Sequence, residues 1–71
     1  MFQLMLAFSF SKKDDLPTII ATGLKRYAVK FGVPPVAVLF RPEELPALTL
    51  TGIELRSNPS ITDGHFFVAG E

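Results

Sequence analysis

The sequence contains no cysteine and no tryptophan, one histidine, and no net charge, because its seven Lys and Arg balance seven Asp and Glu. Without cysteine there is no disulfide framework and no thiolate chemistry, which fits a reducing compartment, so a cytoplasmic location is expected. One His and no Cys leave a zinc or iron site within a single chain short of ligands, and no cofactor is expected. The glycines stand singly at 23, 32, 52, 64 and 70. No glycine-rich loop is therefore there to cradle a phosphate ahead of a helix. No apolar run is long enough to cross a bilayer, so no membrane partner is expected. Residues 1–10 are apolar but lack a basic flank before them and a small-residue cleavage site after them, and the chain is read as starting at Met1.

What is present is a hydrophobic surplus. The 71 residues are 48% hydrophobic and only 20% charged, with a mean hydropathy of +0.34. Such a composition is the reverse of a disordered one, and the length suits one small domain over residues 1–71. A chain of this size takes only about 60% of its surface out of water on folding, so a lone monomer is marginal. With disulfides and metals set aside, association with another subunit is the remaining stabilising device, and a homodimer or higher homo-oligomer is expected.

Residues 2–10 alternate, with Phe2, Leu4, Leu6, Phe8 and Phe10 on one side and Gln3, Met5, Ala7 and Ser9 on the other. Period two predicts a strand whose large set faces a core. A helix follows. Asp14 or Asp15 can cap it, Pro17 suits its first turn, and Gly32 followed by Pro34 and Pro35 ends it. Leu16, Ile19, Ile20, Gly23, Leu24, Tyr27, Ala28 and Phe31 form one stripe. Thr18, Thr22, Lys25, Arg26 and Lys30 fall on the opposite face. Residues 36–40 form a short Val-rich run that reads as a central strand covered on both faces. Pro42 and the two glutamates after it suit a single helical turn. Residues 48–57 read either as one strand broken at Gly52 or as an extended entry followed by a strand over 53–57. Asn58-Pro59 and Asp63-Gly64 mark turns before a last strand over 65–69.

The fold class is therefore α+β in two layers, one main helix on a three- to four-stranded mixed sheet, in the order β-α-β-turn-β-β. The first and second strands are expected to run parallel, and the last two to form an antiparallel hairpin. One helix cannot cover both faces of such a sheet. Met5, Ala7, Leu39 and Phe67 are accordingly the candidate subunit interface on the uncovered face.

No catalytic constellation stands out. His65 has Asp63, Ser57, Ser60 and Thr62 close in sequence, which allows a nucleophile with a base and an orienting acid. The same residues are ordinary turn chemistry, and an enzyme with an inter-subunit site around His65 is the least favoured reading. Asp14-Asp15 and Glu43-Glu44 each lie where a helix begins, and adjacent helical positions do not face each other, so the pairs read as helix-start charges rather than as cooperating acids.

Charge is segregated along the chain. Residues 1–42 hold Lys12, Lys13, Lys25, Arg26, Lys30 and Arg41 against Asp14 and Asp15, a balance of +4. Residues 43–71 hold Glu43, Glu44, Glu54, Asp63 and Glu71 against Arg56, a balance of −4. Lys25, Arg26 and Lys30 on one helix face are candidate contacts for nucleic acid or an anionic partner. Nucleic acid is disfavoured, since domains that bind it are usually net basic. The tail, residues 52–59 followed by Asp63-Gly64-His65-Phe66-Phe67-Val68, is similar to strand–turn–strand segments of phage and mobile-element structural proteins. That likeness implies a hairpin and carries no site. The sequence thus predicts a small soluble module that acts by binding and assembly rather than by catalysis, with another protein partner possible.

Overall fold

The structure, a computed structural model, describes residues 4–70. Phe2 and Gln3 of the expected first strand lie outside the described residues. The elements are β1 (Leu4–Ser9), α1 (Leu16–Phe31), β2 (Ala37–Phe40), β3 (Glu54–Ser57) and β4 (His65–Gly70), with one 3-10 turn over Pro42–Glu44 between β2 and β3. The expected α+β architecture, one helix on a mixed sheet, is what the chain adopts.

The helix forms where its punctuation puts it. Asp15 is the N-cap and Pro17 sits in the first turn, while Gly32 takes a left-handed φ of 71° that lets its N–H close on the Ala28 carbonyl. The cap differs in one respect from expectation: the Asp15 carboxylate accepts the Thr18 hydroxyl and makes no side-chain cap to a backbone N–H. Pro17 has no N–H to offer, and the hydroxyl of Thr18 takes the carboxylate. Every stripe residue from Leu16 to Phe31 is buried or half-buried, and every other helical residue is exposed. Gly23 marks the closest approach of α1 to the sheet, since a Cβ there would lie 3.3 Å from both Phe66 and Val68.

The sheet order is β1-β4-β2-β3. β4 lies antiparallel between β1 and β2, and β3 adds to the far side of β2 in parallel. The first two strands do run in the same direction, but β4 is inserted between them, which makes β1-α1-β2 a split unit. The expected β3–β4 hairpin does not form. Those strands are separated by β2, because residues 58–64 carry the chain over β2 rather than turning it back beside β3. Thr51-Gly52 is a turn with Gly52 at φ 73°, so residues 48–57 resolve into an extended entry and a short strand.

One register row sets the core. Phe8, Phe66 and Phe40 are cross-strand partners on β1, β4 and β2. Phe66 stacks on Phe8 at 5.2 Å and on Phe40 at 5.1 Å between ring centroids. Ile20, Tyr27, Val38 and Val68 close around them on the helix side of the sheet. Leu48, Leu50 and Ile53 of the extended entry pack on the same cluster, extending the cover that α1 provides.

The opposite face is less open than one helix on four strands suggests. Ile61, at the middle of the 58–64 crossover, is 5% exposed and forms a second cluster with Ala37, Leu39 and Ala69. Two side-chain bonds hold the crossover down: Arg41 donates from its guanidinium to the Ile61 carbonyl at 3.2 Å, and Glu44 accepts the Gly64 N–H at 3.0 Å. Leu39 is therefore only 7% exposed. Its expected place on an uncovered face is corrected to a place beneath the crossover.

Candidate functional site

Two strands end the sheet, and β1 is one of them. On its inner side Phe10 N–H donates to the Gly64 carbonyl at 2.9 Å, which continues the β1–β4 register. In an antiparallel ladder this phase makes Leu4, Leu6 and Phe8 the hydrogen-bonded partners of β4. The N–H and C=O groups of Met5, Ala7 and Ser9 consequently point to the open edge, where no strand follows among the described residues.

An open groove of about 780 Å³ runs along that edge, between β1 and α1. Leu6, Ala7 and Phe8 line it from the strand; Lys25, Arg26, Val29 and Lys30 line it from the helix. The helical spacing explains why these four share a wall, since positions three and four apart lie on one face. Val29 is 79% exposed within it. The structure thus brings together all three basic residues singled out from the sequence, and adds an apolar floor and a strand edge that α-helical periodicity had no means of showing.

The groove's charge is of one sign. The ion pairs among the described residues that join side chains are Arg41 with Glu43 at 2.7 Å and Arg56 with Glu54 at 3.1 Å. Neither involves the groove. Lys30 Nζ stands 6.0 Å from the Phe31 ring centroid, a loose cation–π approach that leaves the ammonium at the surface.

On the other face, register places Met5, Ala7, Phe67 and Leu39 on one side of the sheet, with Ala7 opposite Phe67 and Phe67 opposite Leu39. Met5 is 43% exposed, Ala7 is exposed and Phe67 half-buried. With Leu39 covered by the crossover, the apolar strip left at the surface is narrow and borders the β1 edge.

His65 opens β4, and its Nδ1 lies 3.1 Å from the Asp63 carbonyl. Among the described residues no hydrogen bond links its ring to a hydroxyl or carboxylate. Ser60 N–H is instead turned onto Asn58 within the loop. The acid pairs are also employed structurally: Asp14 accepts the Ser11 N–H at 2.9 Å, Glu43 pairs with Arg41, and Glu44 pins Gly64. No group of three His, Asp or Glu side chains that could hold a metal gathers among the described residues. No helix of the described chain is long and apolar enough to cross a membrane.

Comparison with known proteins brings no match: no family model, no curated protein and no solved structure resembles the chain at a significant level.

Proposed function

We propose that this protein is a binding module, not an enzyme, and that it takes an anionic partner in the groove between β1 and α1. The observation that carries the reading is the convergence of Lys25, Arg26 and Lys30 on one concave surface, with no ion pair to an acid among the described residues. Cations lining a groove of low polarity attract anions more strongly than the same cations on a convex face. Polyglutamate and sodium polyphosphate are suitable probes at low ionic strength. Binding by fluorescence anisotropy that weakens with salt and is lost in a K25E/R26E/K30E variant supports the reading; no binding of either probe at about 20–50 mM salt, where the Debye length is about 14–21 Å, overturns it.

A second reading, self-association into a homodimer or larger homo-oligomer, is favoured by the exposed strip of Met5 and Ala7 beside Phe67. Apolar side chains gathered at one end of a sheet face are the kind of surface a symmetric contact buries. Sedimentation equilibrium at micromolar concentration tests it, and a clean 7.8 kDa species sets it aside. A cytoplasmic setting belongs to the same proposal and rests on the cysteine-free composition.

A further inference from the structure

We infer that the groove's partner is an extended acidic polypeptide segment that adds to the sheet as a fifth strand on the β1 edge. The inference rests on the anionic-partner reading above and names the chemistry of that partner. Three features of the groove converge on it.

The first is the backbone. The outward N–H and C=O groups of Met5, Ala7 and Ser9 present a ready ladder to any extended chain, and a strand docked there lies about 4.8 Å from β1. A polyanion without a peptide backbone would leave that ladder unused.

The second is the two-sided patterning that an added strand would meet. Side chains alternate across a strand, so every second residue of the incoming segment rises into the groove and the others fall beside Met5 and Ala7. On the groove side it meets Leu6 and Phe8 at the floor and Lys25, Arg26 and Lys30 above. Glutamate suits that side, since its methylenes cover the floor while its carboxylate reaches the cations. The four residues from Arg26 to Lys30 rise about 6 Å and two strand residues about 6.8 Å, so successive groove-facing carboxylates have close to the spacing of these two cations. On the other side a small apolar residue covers Met5 and Ala7, which the sheet otherwise leaves exposed.

The third is what the groove denies to other occupants. Single-stranded nucleic acid is held by aromatic faces on which bases stack, but Phe8 is stacked on Phe66, and Phe10 packs against Phe40 and Phe66. A second copy pairing antiparallel through β1 is related by an axis normal to the sheet. Both helices would then stand on the same face, with Lys25, Arg26 and Lys30 of one set beside those of the other, and like charges oppose that approach.

The test uses the full chain and an eight-residue peptide of alternating Glu and Val, blocked at both ends. Three further probes accompany it: the same peptide with Lys for Glu, the same peptide N-methylated on every second amide in both phases, and a single-stranded oligonucleotide. The Glu-Val peptide should bind, its affinity should fall at least about tenfold in the K25E/R26E/K30E variant, and the Lys peptide should not bind. Amide exchange at Met5, Ala7 and Ser9 should slow on binding, and N-methylation in one phase should cost about tenfold or more. Ala7→Pro, which removes an edge-facing N–H and no bond to β4, should weaken the peptide similarly. If that variant does not fold, the N-methylated peptides carry the same test on the unaltered protein. Binding that needs the cations but ignores N-methylation and leaves the three amides unprotected overturns strand addition while the groove reading stands. Binding of the oligonucleotide and not of the Glu-Val peptide overturns the polypeptide partner in the same way. Failure of every anionic probe overturns both.

Discussion

The phenol end of Tyr27, its hydroxyl foremost, occupies the volume that a Cβ on Gly70 would take. Tyr27 is fully buried, and its hydroxyl donates to the Leu4 carbonyl at 3.3 Å. One helical side chain thus reaches over the end of β4 to the end of β1, and it can do so only because the residue beneath it has no side chain. This contact ties α1 to the ends of both β4 and β1.

Gly70→Ala should therefore destabilise the fold by about 1–3 kcal/mol, the usual cost of overpacking a buried site. Tyr27→Phe alone should cost about 1 kcal/mol for the lost hydrogen bond. Because the hydroxyl is the atom nearest the added methyl, the double variant should cost less than the sum of the two. Urea midpoints of the four proteins give the coupling, and strict additivity would count against the contact.

Leu39→Asp and Met5→Asp should separate sharply although both residues lie on the same sheet face. Leu39 is sealed under Ile61, and an unpaired carboxylate there should cost more than about 3 kcal/mol, enough to unfold much of a domain with the usual small margin. Met5 is at the surface, and its change should cost under about 1 kcal/mol. Thermal melts followed by far-ultraviolet circular dichroism check the contrast. If the protein self-associates through the strip, Met5→Asp should leave a folded monomer in sedimentation equilibrium.

Glu44→Ala should loosen the crossover without disturbing the helix. Removing the carboxylate leaves the Gly64 N–H without its acceptor, at a cost of about 1–2 kcal/mol. Faster amide exchange at Gly64 and Ile61, with exchange in α1 unchanged, is the expected signature. Glu44→Gln keeps an acceptor and should fall between the two.

Single reversals Lys25→Glu, Arg26→Glu and Lys30→Glu should each weaken polyphosphate binding several-fold. Each should also flatten the dependence of log affinity on log salt by about one, as expected when one cation contact is lost. Lys12→Glu and Lys13→Glu, in the exposed loop before α1, should have a smaller effect on both quantities. Equal effects from all five would mean that overall charge, not the groove, governs binding.

What the sequence by itself determined is local. The 3.6-residue stripe of α1, its end at Gly32 and the period-two split of β1 are written in near neighbours, and the structure keeps each of them because nothing non-local competes. The grouping of Lys25, Arg26 and Lys30 was legible for the same reason. Which strand lies beside which is decided by chain excursions that leave no periodic trace. Residues 58–64 look like two turn dipeptides around a hairpin, yet they cross β2, bury Ile61 on Leu39, and seat β4 between β1 and β2. That single placement covers Leu39 on the face expected to be bare. It also leaves β1 at the rim with its outer backbone groups unpaired among the described residues, so that a row of cations on a helix becomes one wall of a groove.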